Sequence, residues 1–118
     1  MELVKKINIK AGVFKNIVSQ TAFASSNEES KPVLTGINFN IVGDILECNS
    51  TDSYRLARKV VKLDAVSEDS YNIVIPSHNI LEFSRIVSDD DSEVEIHIFN
   101  NKILFKNKKG YEILFNMF

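Results

Sequence analysis

Cysteine is almost missing from this chain: Cys48 is the only one in 118 residues. No internal disulfide can form and a four-cysteine zinc site is excluded. No apolar run approaches the length needed to span a bilayer. The opening Met1-Glu2-Leu3-Val4-Lys5-Lys6 lacks the apolar stretch of a signal peptide. An excess of positive charge is missing too, the formal net charge being −2. A protein that grips nucleic acid by neutralising phosphates is usually basic overall, so contact with DNA here must be local or weak. There is no His-x-Glu, paired-histidine or glycine-rich phosphate signature. What remains is a chain with 44% hydrophobic and 25% charged residues, enough for one compact domain with a buried core. Cys48 lies in the strand-like run Ile45-Leu46-Glu47-Cys48-Asn49 and reads as a small buried thiol. These features fit a reduced cytoplasm.

Hydrophobic periodicity divides the chain into two similar halves. Leu3 to Ile9 alternates and predicts a strand. Phe14, Ile17, Val18, Thr21 and Ala22 recur at helical spacing, which predicts a helix from about Ala11 to Ala24. Ser25 to Lys31 is a polar loop, closed to further helix by Pro32. Strands are expected at Val33 to Val42 and Ile45 to Asn49, joined by a Gly43-Asp44 turn, and at Tyr54 to Leu63. Asp64 to Ser70 is a polar, acidic connection. The order then repeats. A strand at Tyr71 to Ile75 leads into a helix opening at Pro76-Ser77, with Ser77 as N-cap. Ile80, Phe83, Ser84 and Val87 share one face of that helix, which ends at Ser88 to Ser92. Three strands follow through Val94, Ile96 and Ile98, through Ile103 and Phe105, and through Tyr111, Ile113 and Phe115, with turns at Asn100-Asn101 and Asn107-Lys108-Lys109-Gly110. The fold class is α+β, two strand-helix-three-strand repeats with mostly antiparallel sheets and both helices on one side. The polar helix faces would then lie together, where a second molecule could rest.

Three places could carry function. Lys15, Ser19 and Gln20 on the first helix, with His78, Glu82 and Arg85 around the second, form either an ordinary solvated face or a nucleic-acid face. There is no dense basic stripe and no aromatic interleaving for base stacking. Asp52, Arg55 and either His78 or His97 could be assembled into an acid–base site, but His97 alternates with Ile96 and Ile98 and belongs on the outer face of a strand. The third place is Thr51-Asp52-Ser53-Tyr54-Arg55-Leu56-Ala57. As a turn, Asp52 accepts backbone hydrogen bonds, Arg55 pairs locally and Leu56 enters the core. As a rim, Tyr54 and Arg55 have the chemistry enriched at interface hot spots, and Leu34 and Leu56 give it an apolar floor if their strands lie side by side.

That segment, with Phe23-Ala24-Ser25-Ser26-Asn27-Glu28-Glu29-Ser30-Lys31-Pro32-Val33-Leu34-Thr35-Gly36 upstream, resembles the middle domain of the bacterial DNA polymerase III beta subunit, the sliding-clamp family. Ile73-Val74-Ile75-Pro76-Ser77, followed by a helix with Glu82 and Arg85, also looks like the family. The resemblance covers nearly the whole chain, and its motifs are specific in combination. It implies a DNA-clamp domain, 1–118, excised from the middle of a three-domain subunit. It implies a cytoplasmic, non-catalytic processivity factor with no cofactor, no metal and no membrane contact. In that family two subunits close head to tail into a homodimeric ring, helices line the hole, and duplex DNA threads through it. The DNA polymerase III alpha subunit, the clamp loader and repair polymerases insert a short peptide into a groove between the middle and last domains.

Carried over residue by residue, the middle-domain half of that groove uses Leu34 and Leu56 as floor, Thr51 and Ser53 as wall, and Tyr54 and Arg55 along a shallower part. DNA-facing positions are Lys15, Ser19, Lys31, His78 and Arg85. Three departures from the family's pattern stand out. The chain stops at Phe118, ahead of the linker and third domain that supply the other half of the groove, and no first domain precedes Met1. Ser53 and Tyr54 stand where some relatives carry glycine and histidine. Ser77 and His78 stand where some relatives place basic residues. A different class of function remains beside this one, a single-domain nucleic-acid-binding module that uses its two helix faces.

Overall fold

A computed structural model describes residues 3–25, 35–87 and 93–117. The Ser25 to Lys31 loop, from Ser26 onward, and the Ser88 to Ser92 connection lie outside the described residues. The first strand, β1 (Lys5–Lys10), buries Ile7 and Ile9 and exposes Lys6, Asn8 and Lys10, which alternate with them. It runs directly into α1 (Ala11–Thr21), whose buried residues Ala11, Phe14, Ile17, Val18 and Thr21 follow helical spacing. The expected helix continues past Thr21 only as a 3-10 turn, Ala22–Ala24. Thr21 donates its hydroxyl to the Ile17 carbonyl at 2.6 Å.

Two long antiparallel strands follow, β2 (Gly36–Thr51) and β3 (Leu56–Pro76). The expected Gly43-Asp44 hairpin turn is not formed; β2 passes straight through it as a bulge. Gly43 takes a φ of 63°, which its missing Cβ permits. The bulge reverses the phase of alternation: Ile37, Phe39 and Ile41 are buried before it, and Leu46, Cys48 and Ser50 after it. Opposite the bulge, β3 is longer than its partner. Ile41 and Gly43 pair with Tyr71 and Ser67, and Ile45 then pairs with Lys62. The expected loop Asp64 to Ser70 is thus absorbed into the strand at its most irregular point.

The second helix, α2 (Ser77–Ile86), buries Ile80 and Phe83. Ser77 is not its N-cap. Pro76 holds that position without a side-chain hydrogen bond, and the Ser77 hydroxyl lies buried in the first turn with no partner among the described residues. Three strands complete the fold: β4 (Glu93–Ile98), β5 (Lys102–Asn107) and β6 (Glu112–Asn116). The last turn closes as expected. Gly110 has a φ of 91°, and the Asn107 side chain accepts from Tyr111 N–H at 2.8 Å.

The sheet order is β1-β4-β5-β6, beside the two-stranded β2-β3. Each half therefore lends its first strand to the other. β1 pairs with β4, and Tyr71 to Pro76 of β3 pairs with Gly36 to Ile41 of β2. The helices lie against each other on one side. Phe14 of α1 meets Phe83 of α2 edge-on at 5.7 Å, and Phe83 stacks on Phe105 of β5 at 5.3 Å. These rings tie both helices to the four-stranded sheet.

Candidate functional site

The β2-to-β3 connection is a tight polar turn, and its geometry follows from Asp52. The carboxylate accepts Tyr54 N–H at 3.0 Å and Arg55 N–H at 3.1 Å through Oδ1. Through Oδ2 it accepts Arg55 Nε–H at 3.1 Å. The Tyr54 amide, then the amide and guanidinium of Arg55, hold the Asp52 carboxyl below its ordinary value. Thr51 closes the turn from the strand end, donating its hydroxyl to the Arg55 carbonyl at 2.6 Å and accepting Ser53 N–H at 3.1 Å. Ser53 takes a φ of 80°, the left-handed region that favours glycine.

Outside this frame the turn is apolar. Tyr54 is 95% exposed, and Leu56 is 68% exposed rather than entering the core. A depression of about 200 Å³ beside it is lined by Gly36, Ser50, Thr51, Leu56 and Val74. Leu34, expected beside Leu56, lies outside the described residues, as does Lys31. Of the groove residues expected from the sequence, Thr51 and Leu56 share this concavity, and Ser53, Tyr54 and Arg55 lie in the turn between them in the chain rather than in its lining.

Phe23 is the residue that sequence reasoning missed here. It lies just beyond α1, and its carbonyl accepts Arg55 Nη2–H at 2.7 Å while its ring sits 5.3 Å from the Arg55 guanidinium carbon. Its sequence signals are an aromatic left off the helix's apolar face and its place at the head of the family-like segment Phe23 to Gly36. The Ser50 hydroxyl donates to the Thr21 carbonyl, which pins the end of α1 to the end of β2.

The helix-face residues separate into two groups. Lys15, Ser19 and Arg85 line one shallow furrow between α1 and α2, together with Asn16 and Ser84. His78 stands apart at the start of α2, 3.3 Å from Glu82. His97 lies on the face of β4 opposite the buried Ile96 and Ile98, as expected. An acid–base site around Asp52 finds no support, because both carboxylate oxygens are engaged within the turn. Among the described residues no group of three His, Cys, Asp or Glu side chains could hold a metal ion. No helix among them is long and apolar enough to cross a membrane. Cys48 is buried, and burial pushes its thiol pKa well up.

A family model described as the DNA polymerase III beta subunit, central domain, matches residues 8–114. The Beta sliding clamp of Bacillus subtilis is 42% identical over 102 residues, which is 86% of this chain and 27% of that protein. The Beta sliding clamp of Staphylococcus aureus is 41% identical over 100 residues, 85% of this chain and 26% of its own length. This chain thus spans about a quarter of the length of these relatives. A solved DNA polymerase sliding clamp from Bacillus subtilis superposes with a TM-score of 0.92 at 36% identity, covering 100% of this chain and 31% of that one. The DNA polymerase III beta chain from Streptococcus pneumoniae gives 0.90 at 34% identity, again over 100% of this chain and 31% of its own. The strand exchange, the paired helices and the matched sequence lead to one conclusion: the chain belongs to the DNA polymerase III beta subunit family and has the fold of its central, sliding-clamp domain.

Proposed function

We propose that this domain works as the middle of three in a subunit that closes, head to tail with a second copy, into a ring around duplex DNA. The observation that carries the reading is the 42% identity to a sliding clamp over 86% of the chain. Its action is topological and without turnover: encirclement supplies the hold on DNA, so the domain itself needs no strong phosphate grip. The mildly acidic net charge of −2 agrees with that. The furrow residues Lys15, Ser19 and Arg85 then face the hole, together with His78 at the start of α2; Lys31 is a further DNA-facing candidate from outside the described residues. The cytoplasm is the compartment where such a ring operates.

Leu56 and Leu34, with Thr51, Ser53, Tyr54 and Arg55, form this domain's half of a peptide groove. Its occupants are short segments of the replicative polymerase, the clamp loader and repair polymerases. An exposed leucine that lines a concavity and follows an exposed tyrosine and an arginine in the chain supports this reading, because such side chains anchor interfaces.

Topology gives the test. The whole protein, loaded on a nicked circular duplex, should stay bound at moderate salt and fall off once the circle is cut. Tight binding of this chain alone to short linear duplex, lost in Lys15→Ala or Arg85→Ala, would instead establish the nucleic-acid-module reading.

A further inference from the structure

The Arg55 side chain is held from two directions before any ligand arrives. Nε–H donates to Asp52 Oδ2 at 3.1 Å, and Nη2–H donates to the Phe23 carbonyl at 2.7 Å. The guanidinium carbon also lies 5.3 Å from the centre of the Phe23 ring. An arginine on an exposed turn would ordinarily sample many rotamers. This one is fixed although its side chain is 55% exposed.

The fold, not the arginine, sets the position of Phe23. Thr21 lies buried at the end of α1, and its carbonyl accepts the Ser50 hydroxyl next to the turn. Phe23 follows two residues later in the 3-10 turn, the residue 59% exposed. A residue so exposed contributes little to the core. Its contact with the guanidinium is a cation–π one.

We propose that Phe23 and Asp52 are positioning residues for Arg55, and that they present its free donor edge to a main-chain carbonyl or carboxylate of a bound peptide. The inference rests on the groove reading above and adds what that reading lacks, the polar contact next to the apolar floor. Arginine carries five N–H donors in a rigid fork. Two of them are used here, and the others lie on the Nη1 and Nη2 edge. That edge suits a planar acceptor. Leu56 is the next residue and is exposed beside the depression. A peptide anchored there by an apolar side chain brings its own backbone past Arg55. Because the guanidinium is already immobilised, binding loses less side-chain freedom.

The test is a double-mutant cycle in the whole protein, titrated with a fluorescent peptide copied from the clamp-binding segment of the cognate polymerase. Phe23→Leu keeps the carbonyl and removes the ring. Asp52→Asn keeps an oxygen for the backbone amides and removes the charge. Each should weaken binding about three- to tenfold, and neither should weaken it further in an Arg55→Ala background. Phe23→Tyr keeps a ring and should retain wild-type affinity. Equal losses with and without Arg55 would overturn the inference, because the two residues would then act on the fold. Leu56→Ala distinguishes the two levels of failure. If it weakens binding while Phe23→Leu and Asp52→Asn do not, the positioning role alone is wrong. If Leu56→Ala also binds as wild type, the groove reading fails and takes the positioning role with it.

Discussion

Leu56→Ala separates binding from folding, and Leu46→Ala in the same β2–β3 ribbon is its control. Leu56 is 68% exposed, whereas Leu46 is fully buried at 0%. Burying a leucine completely from water contributes about 1.5–3 kcal/mol. With two-thirds of its surface still to bury, Leu56 has roughly 1–2 kcal/mol to give to a ligand that covers it. Truncation should therefore weaken a polymerase-derived peptide about five- to thirtyfold. The same truncation should change folding by no more than ~0.5 kcal/mol, as for other surface sites. Leu46→Ala should do the opposite to folding, at a cost of about 2–5 kcal/mol for the lost contacts and the cavity left behind. The assays are a fluorescence-anisotropy titration on the whole protein and a thermal melt of this chain. An unchanged Kd for Leu56→Ala would refute the reasoning. So would a melting temperature lowered as far as by Leu46→Ala, since Leu56 would then be a structural residue.

Gly36→Ala should destabilise this chain by about 1–3 kcal/mol, the usual range for overpacking. The added Cβ would meet the Ile75 carbonyl oxygen at 2.8 Å and Val74 Cγ1 at 2.6 Å. A denaturant midpoint equal to wild type would show that the ribbon moves aside. Asp52 has a lowered folded-state pKa, so its contribution to stability is complete above its ordinary value of 3.8 and is lost as pH falls through the folded value. Asp52→Asn should flatten that acid limb in denaturation curves taken from pH 2.5 to 6, and an unchanged slope would contradict the assignment. Cys48 is fully buried with its thiol pKa raised. Labelling by a disulfide reagent at pH 8 should therefore track global unfolding. Fast labelling of the native chain would contradict its burial.

Much of the fold was legible because burial leaves periodicity behind. Both helices and the β4-β5-β6 meander follow from their apolar spacing alone. The Gly43-Asp44 turn failed for a specific reason. Buried Ile37, Phe39 and Ile41 fall at odd positions, and buried Leu46, Cys48 and Ser50 at even ones. A two-residue hairpin would place these sets on one face, directly opposite each other. A bulge turns the strand so that both sets also reach one core. The local pattern is satisfied either way. The choice is made by Leu56 to Pro76, which pairs along the length of β2 and which a hairpin would leave without that partner. Nothing within the β2 sequence records that competition.

The same division between local and distant causes runs through the candidate site. The frame of the turn could be read directly, since Asp52 and every group it accepts from lie within four residues. The exposure of Leu56 could not, because the turn reading and the groove reading differ only in which side of β3 faces water. Phe23 was hidden more deeply, separated by 32 residues from the arginine it holds. Its placement depends on the Ser50–Thr21 bond, and that bond depends on the bulge that turns Ser50 inward. Had β2 kept its original phase, the odd-numbered Asn49 and Thr51 would face the core in place of Ser50. The end of α1 would then lose its tie to the turn. The bulge at Gly43 thus acts on the rim of the site from the far end of the strand, through the parity of a single residue.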